Sequence, residues 1–434
     1  MTPDEWIGVA GFAALMGLIV LRVPVGIAML SVGLAGTAVL NTPVAAIYTM
    51  TGQTFEIGTL YSLAVLPLFI LMGNLASVGG LSRDLYDAAH SLVGNFRGGL
   101  ASATIVGCAG FAALSGSSIA SAVTMGRVAY PEMKRRGYGD RLSTGAIAAG
   151  GTLGILLPPS TGFVLYAILT EESIGQLFMA GVLPGLLLTG LFLVVIAIVV
   201  RLVPSEVGDG EVALPDSLAR AMWRALPIVF VVAITIGGIY FGLLTPVEAA
   251  GAGAFLTLLF ALGRRKLSVT SFARVVIATL ETTGLCFVIL VGAMVFAPFV
   301  ALSGLPSLVS TQIIAAGFDA YLTLALILVV YAILGMVIEG LSLMVITLPI
   351  VFPVIVQLGF DPIWFGVIMV LVLEMGLISP PVGVNCFVVK SVATDVPLSR
   401  IFAGVLPFWG AMIVCIVLLV FFPQIALLLP TAMF

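Results

Sequence analysis

Apolar runs follow one another along the chain, with polar punctuation only a few residues long between most of them. They occupy residues 6–21, 25–40, 57–79, 98–113, 118–131, 142–169, 176–200, 225–243, 247–262, 276–297, 321–337, 341–356, 363–389 and 401–422. A helix needs roughly 20 apolar residues to cross a bilayer, so these runs predict helices in lipid, not all of which need to cross. The first run follows the acidic start Met1-Thr2-Pro3-Asp4-Glu5 and lacks the basic n-region and cleavage site of a signal peptide. It reads as a retained span. One amphipathic polar stretch, 82–95, is expected to lie on the cytoplasmic surface and holds the only histidine, His90, for which a surface role is expected.

Composition agrees: 61% of the 434 residues are hydrophobic and only 9% are charged, against about a quarter in soluble domains. That length fits about ten crossings and leaves no room for a separate soluble domain. A net charge of -3 excludes nucleic acid as a natural partner, because phosphate recognition needs clustered basic charge. Cys108, Cys286, Cys386 and Cys415 lie in apolar surroundings without CxxC spacing and read as packing residues.

Basic residues mark the cytoplasmic side. Arg22, Arg83, Arg97, Lys134, Arg135, Arg136, Arg141, Arg201, Arg220, Arg224, Arg264, Arg265, Lys266, Arg274, Lys390 and Arg400 alternate along the chain with segments free of Lys and Arg, namely 1–5, 41–56, 170–175, 298–320, 357–362 and the tail after 422, all but the tail carrying acidic residues. An outside N-terminus satisfies every cluster with ten crossings, a hairpin at 98–131 entering from the cytoplasm, a hairpin at 321–356 entering from outside, and both termini periplasmic. Full crossing of both hairpin arms would preserve the same parity.

The chain also repeats itself. At an offset of 222 residues Pro24-Val25 matches Pro246-Val247, Gly137-Tyr138 matches Gly359-Phe360, and Gly154 with Pro158-Pro159 matches Gly376 with Pro380-Pro381. With one residue of slippage, Ala180-Gly181-Val182-Leu183-Pro184 matches Ala403-Gly404-Val405-Leu406-Pro407. An odd number of crossings per half inverts the second copy, the usual build of secondary transporters. The polar linker 203–218, with Pro204, Gly208, Gly210 and Pro215, separates the halves.

Each half carries a Gly and Pro-Pro interruption inside an apolar run, Gly150 to Ser160 and Gly376 to Asn385. Prolines remove backbone donors and glycines permit unwinding, so freed carbonyls are expected there, tolerated only beside protein or a polar cavity. The tip Leu114-Ser115-Gly116-Ser117-Ser118 lies midway between Arg97 and Lys134, hence deep in the membrane, and its repeat equivalent surrounds Glu339-Gly340. Tip hydroxyls and break carbonyls together suit a hard cation such as sodium; packing of helices through small residues is the alternative. Glu339 and Glu374 read as intramembrane carboxylates, which are functional candidates by default. For Glu339 this means cation binding or proton coupling, or a carboxylate satisfied by tip amides. Arg127 could attract an anionic substrate or snorkel to the cytoplasmic face.

Pro67-Leu68-Phe69-Ile70-Leu71-Met72-Gly73, the tip Ser115-Gly116-Ser117-Ser118 followed by Tyr130-Pro131-Glu132-Met133-Lys134-Arg135-Arg136-Gly137-Tyr138, the break Gly154 to Ser160, and Gly376-Leu377-Ile378-Ser379-Pro380-Pro381-Val382-Gly383 resemble the DctM-type large permease subunit of tripartite ATP-independent periplasmic (TRAP) transporters. The resemblance spans essentially the whole chain. It implies an all-α polytopic inner-membrane protein of two inverted repeats, about ten transmembrane helices and two re-entrant hairpins, working as an elevator and not as an enzyme. It further implies sodium-driven import of organic acids (dicarboxylates, sugar acids or sialic acid), with a small four-helix membrane subunit of DctQ type and a periplasmic substrate-binding protein of DctP type as partners. The implied division is scaffold at 1–80 and 225–297, arms at 81–97 and 298–319, transport parts at 98–202 and 320–434 with hairpins 98–131 and 320–357, and a cytoplasmic linker at 203–222. One sodium site is implied at Ser115, Gly116 and Ser117 with Gly150, Thr152 and Gly154, a second at Glu339 and Gly340 with Gly376, Ser379 and Pro380. Substrate is implied near Ser118, Ser160 and Asn385, with Arg127 as a further candidate. Glu339 stands where the first repeat has Ser117, so the two sites need not be equivalent and a proton remains open.

Two other classes stay in view. A stand-alone sodium- or proton-coupled anion carrier would share the hairpins and need no binding protein. An intramembrane serine hydrolase would need a base beside Ser115 or Ser117, which the distant His90 does not supply. No P-loop is present, so ATP is not the expected energy source.

Overall fold

The computed structural model describes residues 1–208, 218–315 and 317–433, and among these the regular structure is entirely helical. The first half runs α1 (Pro3–Val20), α2 (Val25–Leu40), α3 (Pro43–Thr59), α4 (Val65–Val78), α5 (Leu81–Val93), α6 (Gly99–Ser115), α7 (Ser118–Arg135), α8 (Asp140–Leu156), α9 (Thr161–Thr170) and α10 (Ile174–Leu202). The second half runs α11 (Leu218–Val232), continued through a π turn into α12 (Gly238–Tyr240), then α13 (Pro246–Gly263), α14 (Val269–Leu302), α15 (Leu305–Ala315), α16 (Ala320–Gly335), α17 (Gly340–Gln357), α18 (Pro362–Leu377), α19 (Val384–Val392) and α20 (Leu398–Phe421), with a short α21 (Gln424–Thr431) at the end. From α5 and α15 onward the two series match helix for helix. The main difference is that α3 and α4, separate around Leu60, correspond to the single 34-residue helix α14.

Nine of these helical stretches are long and apolar enough to cross a bilayer, among the described residues. Large apolar side chains such as Phe230, Phe255, Val329 and Ile333 remain on the outside, as lipid requires. The helix starts are written locally. Thr42, Ser173 and Asp361 cap α3, α10 and α18 by accepting from a backbone N–H of the first turn, a bond that substitutes for a missing intrahelical partner.

The two halves pack across each other. In the candidate scaffold α2 lies along α14 and α13 along α4; in the candidate transport part α8 lies against α20 and α10 against α18. Lipid offers no hydrophobic drive between helices, so close backbone contact matters more. A Cβ on Gly292 would fall 2.2 Å from the Gly26 carbonyl oxygen, and one on Gly145 would fall 2.3 Å from that of Gly404. Glycine is therefore needed on α14 and on α8 to seat the opposite half. Gly73, the last residue of the Pro67 motif, does the same between α4 and the first tip, where a Cβ would meet the Ser115 Cα at 2.7 Å.

The arm α5 buries Leu81, Tyr86 and Ala89 against α6 and α11, and its Asp84 pairs with Arg264 at the end of α13. His90 departs from its expected surface role. It is 3% exposed, its Nε2 has no hydrogen-bond partner, and its ring fits against Gly94, where a Cβ would lie 2.4 Å from Cδ2. The reason is its position on the inward stripe of α5, beside Tyr86 one turn earlier. Of the linker, Glu206 accepts from Gly139 N through its carbonyl and from Leu142 N through its carboxylate; Gly210 and Pro215 lie outside the described residues.

Candidate functional site

The first tip joins α6 to α7, and the first break joins α8 to α9. Gly116 closes α6 with φ +59°, a left-handed conformation that glycine adopts without steric cost. Its carbonyl accepts from both Thr161 N (3.3 Å) and Thr161 Oγ1 (2.9 Å), tying the tip to the far side of the break. Ser115 Oγ bonds Ser121 Oγ at 2.9 Å. Ser117 and Ser160 are N-caps, accepting from Ala120 N and Phe163 N respectively.

The break is narrower than the glycines suggest. Gly150, Thr152 and Gly154 are all inside α8, which continues to Leu156, and Thr152 Oγ1 donates back to Ala149 O at 2.6 Å. These glycines do not unwind the helix; they make room. A Cβ on Gly154 would sit 2.5 Å from the Ser117 carbonyl oxygen, and one on Gly150 would sit 2.7 Å from Cys108 Sγ. The interruption itself is Leu157 to Ser160, fully buried, with a cis bond between Pro158 and Pro159. The Pro159 carbonyl oxygen lies 2.7 Å from where a Cβ on Gly116 would be. Tip and break thus bring together neutral oxygens from Ser115, Gly116, Ser117 and Pro159, the donor type a sodium ion takes, although Thr152 spends its hydroxyl within its own helix.

The second half builds the same contact with different residues. Ile378 to Gly383 interrupts α18 and α19, and Pro380-Pro381 is again cis. The tip carbonyl of Met336 accepts from Val382 N at 3.3 Å, as Gly116 O accepts from Thr161 N. Glu339 occupies the N-cap of α17, the place Ser117 holds before α7. Its carboxylate accepts from Leu341 N (3.1 Å), Ser342 N (2.9 Å) and Ser342 Oγ (2.9 Å). Gly376 is helical, in close contact with Gly335 O, and Gly340 packs on Leu373. Ser379 Oγ donates to Met375 O and accepts from Trp409 Nε1 at 2.8 Å. Pro380 is exposed, unlike its buried counterpart Pro158.

Between the halves, Ser118 Oγ donates to Glu374 Oε2 at 2.5 Å, with the two residues 1% and 2% exposed. A cavity of about 10 Å³, room for roughly one water, lies beside Glu374, Glu339 and Gly340. Asn385, in the first turn of α19, is fully buried, and neither its Nδ2 nor its Oδ1 has a partner. It faces Gly151 of α8, whose missing Cβ would touch both Asn385 Nδ2 (3.3 Å) and Ser118 O (3.2 Å). Ser118 and Asn385 therefore meet at one place; Ser160 caps the head of α9. Arg127 is exposed on α7, roughly two and a half turns beyond Ser118, and takes no part in this cluster.

Residues that the sequence does not single out also enter. Ser121 carries a weak signal, the i, i+3 spacing from Ser118 that sets both on one face. Thr161 and Trp409 carry none, because each acts through a contact between segments far apart in the chain.

Among known proteins, the family model for the DctM component of tripartite ATP-independent periplasmic transporters matches residues 12–425. The C4-dicarboxylate TRAP transporter large permease protein DctM of Pseudomonas aeruginosa is 37% identical over 406 residues, 92% of this chain and 93% of that protein. The isethionate TRAP transporter permease protein DctMQ of Oleidesulfovibrio alaskensis is 35% identical over 366 residues, 84% of this chain and 57% of that one. Among solved structures, the Alcanivorax borkumensis YdaH transporter aligns with a TM-score of 0.62 over 88% of this chain and 89% of that chain, at 16% identity, a likeness of fold.

Proposed function

This chain belongs to the DctM family of TRAP transporter large permeases, multi-pass proteins of the inner membrane, and from that premise we propose that it imports an organic acid by sodium-coupled secondary transport. The acid is a dicarboxylate, a sugar acid or sialic acid, delivered by a periplasmic binding protein of DctP type, and a small DctQ-type subunit completes the membrane complex. Both termini face the periplasm. The observation that carries the reading is Asn385, a fully buried carboxamide with no partner at either polar atom, set where the first tip, α8 and the second break meet. A buried amide without partners costs free energy, and a polar solute bound there recovers it.

Sodium goes to the tip oxygens of Ser115, Gly116 and Ser117 on one side and to Glu339, Gly340, Ser379 and Pro380 on the other. Bound ions hold each tip to its break, and the loaded unit of α6–α10 and α16–α20 then moves against a fixed scaffold, Gly73 of α4 providing the close sliding contact with the first tip. A ligand moves such an equilibrium only through unequal affinity for the two states, so sodium must bind the closed arrangement more tightly.

The test is uptake into proteoliposomes that hold the large and small membrane subunits, with the binding protein and its solute outside. Uptake should rise with an inward sodium gradient and stop when choline replaces sodium. Uptake indifferent to that gradient would sink the proposal, and uptake without the soluble partner would identify a stand-alone anion carrier instead.

A further inference from the structure

The two candidate cation sites lie in different halves, separated by more than two hundred residues of chain, and one buried hydrogen bond joins them. Ser118 follows directly on the tip Ser115-Gly116-Ser117, and Glu374 lies half a turn before Gly376 on α18. Their bond is 2.5 Å long, and it is the one hydrogen bond made by the Glu374 carboxyl among the described residues. The other side of Glu374 borders the small cavity it shares with Glu339 and Gly340 of the second tip. Glu374 therefore touches the first tip through Ser118 and adjoins the second tip across a space of one water. The walls of that cavity are otherwise apolar, with Ile155, Met344 and Leu377 among them.

We propose that Glu374 is a positioning residue, and that the Ser118–Glu374 hydrogen bond makes sodium binding at the two sites cooperative. The inference rests on the sodium reading above and deepens it. Closing the first tip on a sodium ion fixes the start of α7, hence the Ser118 hydroxyl. A fixed donor holds the Glu374 carboxyl in one rotamer, which sets the wall against which Glu339 and Gly340 close. Each site thereby arrives partly ordered once the other is filled, and coupling of this kind is reciprocal. The first repeat supplies the donor, Ser118, and the second supplies the acceptor, Glu374; at the pseudo-equivalent positions stand Gly340 and Thr152, and Thr152 is engaged with Ala149. The bond is thus single, not duplicated, as a link between two sites needs to be.

The experiment uses the purified full chain in lipid nanodiscs, titrated with sodium chloride against choline chloride at constant ionic strength. Tryptophan fluorescence is one readout, since Trp409 is bonded to Ser379 of the second site, and thermal stability is the other. For the native chain the sodium response should be steep, with a Hill coefficient near 2 for two coupled sites. Ser118→Ala and Glu374→Met should each bring it near 1 and raise half-saturating sodium by about 5-fold or more. The double variant should be no worse than either single one, the mark of a shared interaction. Glu374→Gln keeps an oxygen that accepts from Ser118 and should retain the steep response, which separates lost bonding from altered packing. Should Glu374→Met fail to fold, Ser118→Ala and Glu374→Gln still decide the matter. A Ser118→Ala chain as steep as the native one would overturn the proposal, as would Glu374→Gln behaving like Ser118→Ala. A native chain whose fluorescence and stability ignore sodium would overturn the sodium reading itself, a different result from loss of steepness alone.

Discussion

At the scale of single residues, Asn385 gives the sharpest expectation, because its two roles pull in opposite directions. If its carboxamide serves a bound solute, Asn385→Ala removes that service and uptake should fall by about 10-fold or more, the effect of one lost buried hydrogen-bonding group. The same change deletes an unsatisfied polar group from the empty protein, so thermal stability in the absence of solute should hold or rise. Parallel loss of both would mark Asn385 as structural. Much of this site is legible in the chain: the two tips, the two proline pairs and the intramembrane carboxylates all stand out against apolar surroundings. The roles of the glycines do not. Gly150, Gly154 and Gly376 suggest unwinding by composition, yet they stay helical and admit a neighbouring backbone, and which neighbour approaches is set by a segment far along the sequence. Ser118 and Glu374 illustrate the same limit, since nothing local announces that a serine in one half meets a carboxylate in the other.

At the scale of elements, the amphipathic arm α5 is readable as a surface helix, while the depth of its inner face is not, because that depth comes from α6 and α11. His90 lies on that face. Burial holds its ring below the usual histidine range, opposed by the nearby Glu132 carboxylate and reinforced by the Arg136 guanidinium. The unfolded chain therefore binds a proton at a pH where the folded one still refuses it. Stability is unaffected by His90 above about pH 6.5 and is lost as pH falls below that value, until the folded ring also protonates. The loss should be read as a lower melting temperature at pH 5.5 than at pH 7.5, and His90→Leu should flatten that difference. An equal drop in the variant would assign the acid sensitivity to other groups. Ion pairs at the same end of the molecule, Lys134 with Asp395 and Arg400 with Asp140, are half exposed and should add little, since such pairs contribute about 0–1 kcal/mol each.

At the scale of the whole molecule, the internal repeat and the alternation of basic and acidic loops foretell a duplicated helical membrane protein, and helix order follows that plan. They do not foretell how the two copies interlock, with α2 packed on α14, α13 on α4, α8 on α20 and α10 on α18. That exchange has a consequence for how the protein is made. Gly26 of α2 and Gly145 of α8 are met by backbone of the other half, so a newly inserted first half waits in the membrane with those approach surfaces uncovered until α14 and α20 emerge from the ribosome. Cutting the gene between the codons for Val207 and Leu218 should yield two fragments that are each cleared by membrane proteases when expressed alone and that survive together, co-purify and restore uptake when expressed in the same cell. A first half that accumulates stably without the second would show that the halves mature independently. If the fragments do depend on each other, the duplication is preserved by mutual need: with the close backbone approach of α2 completed by α14, neither copy can be lost without stranding the other.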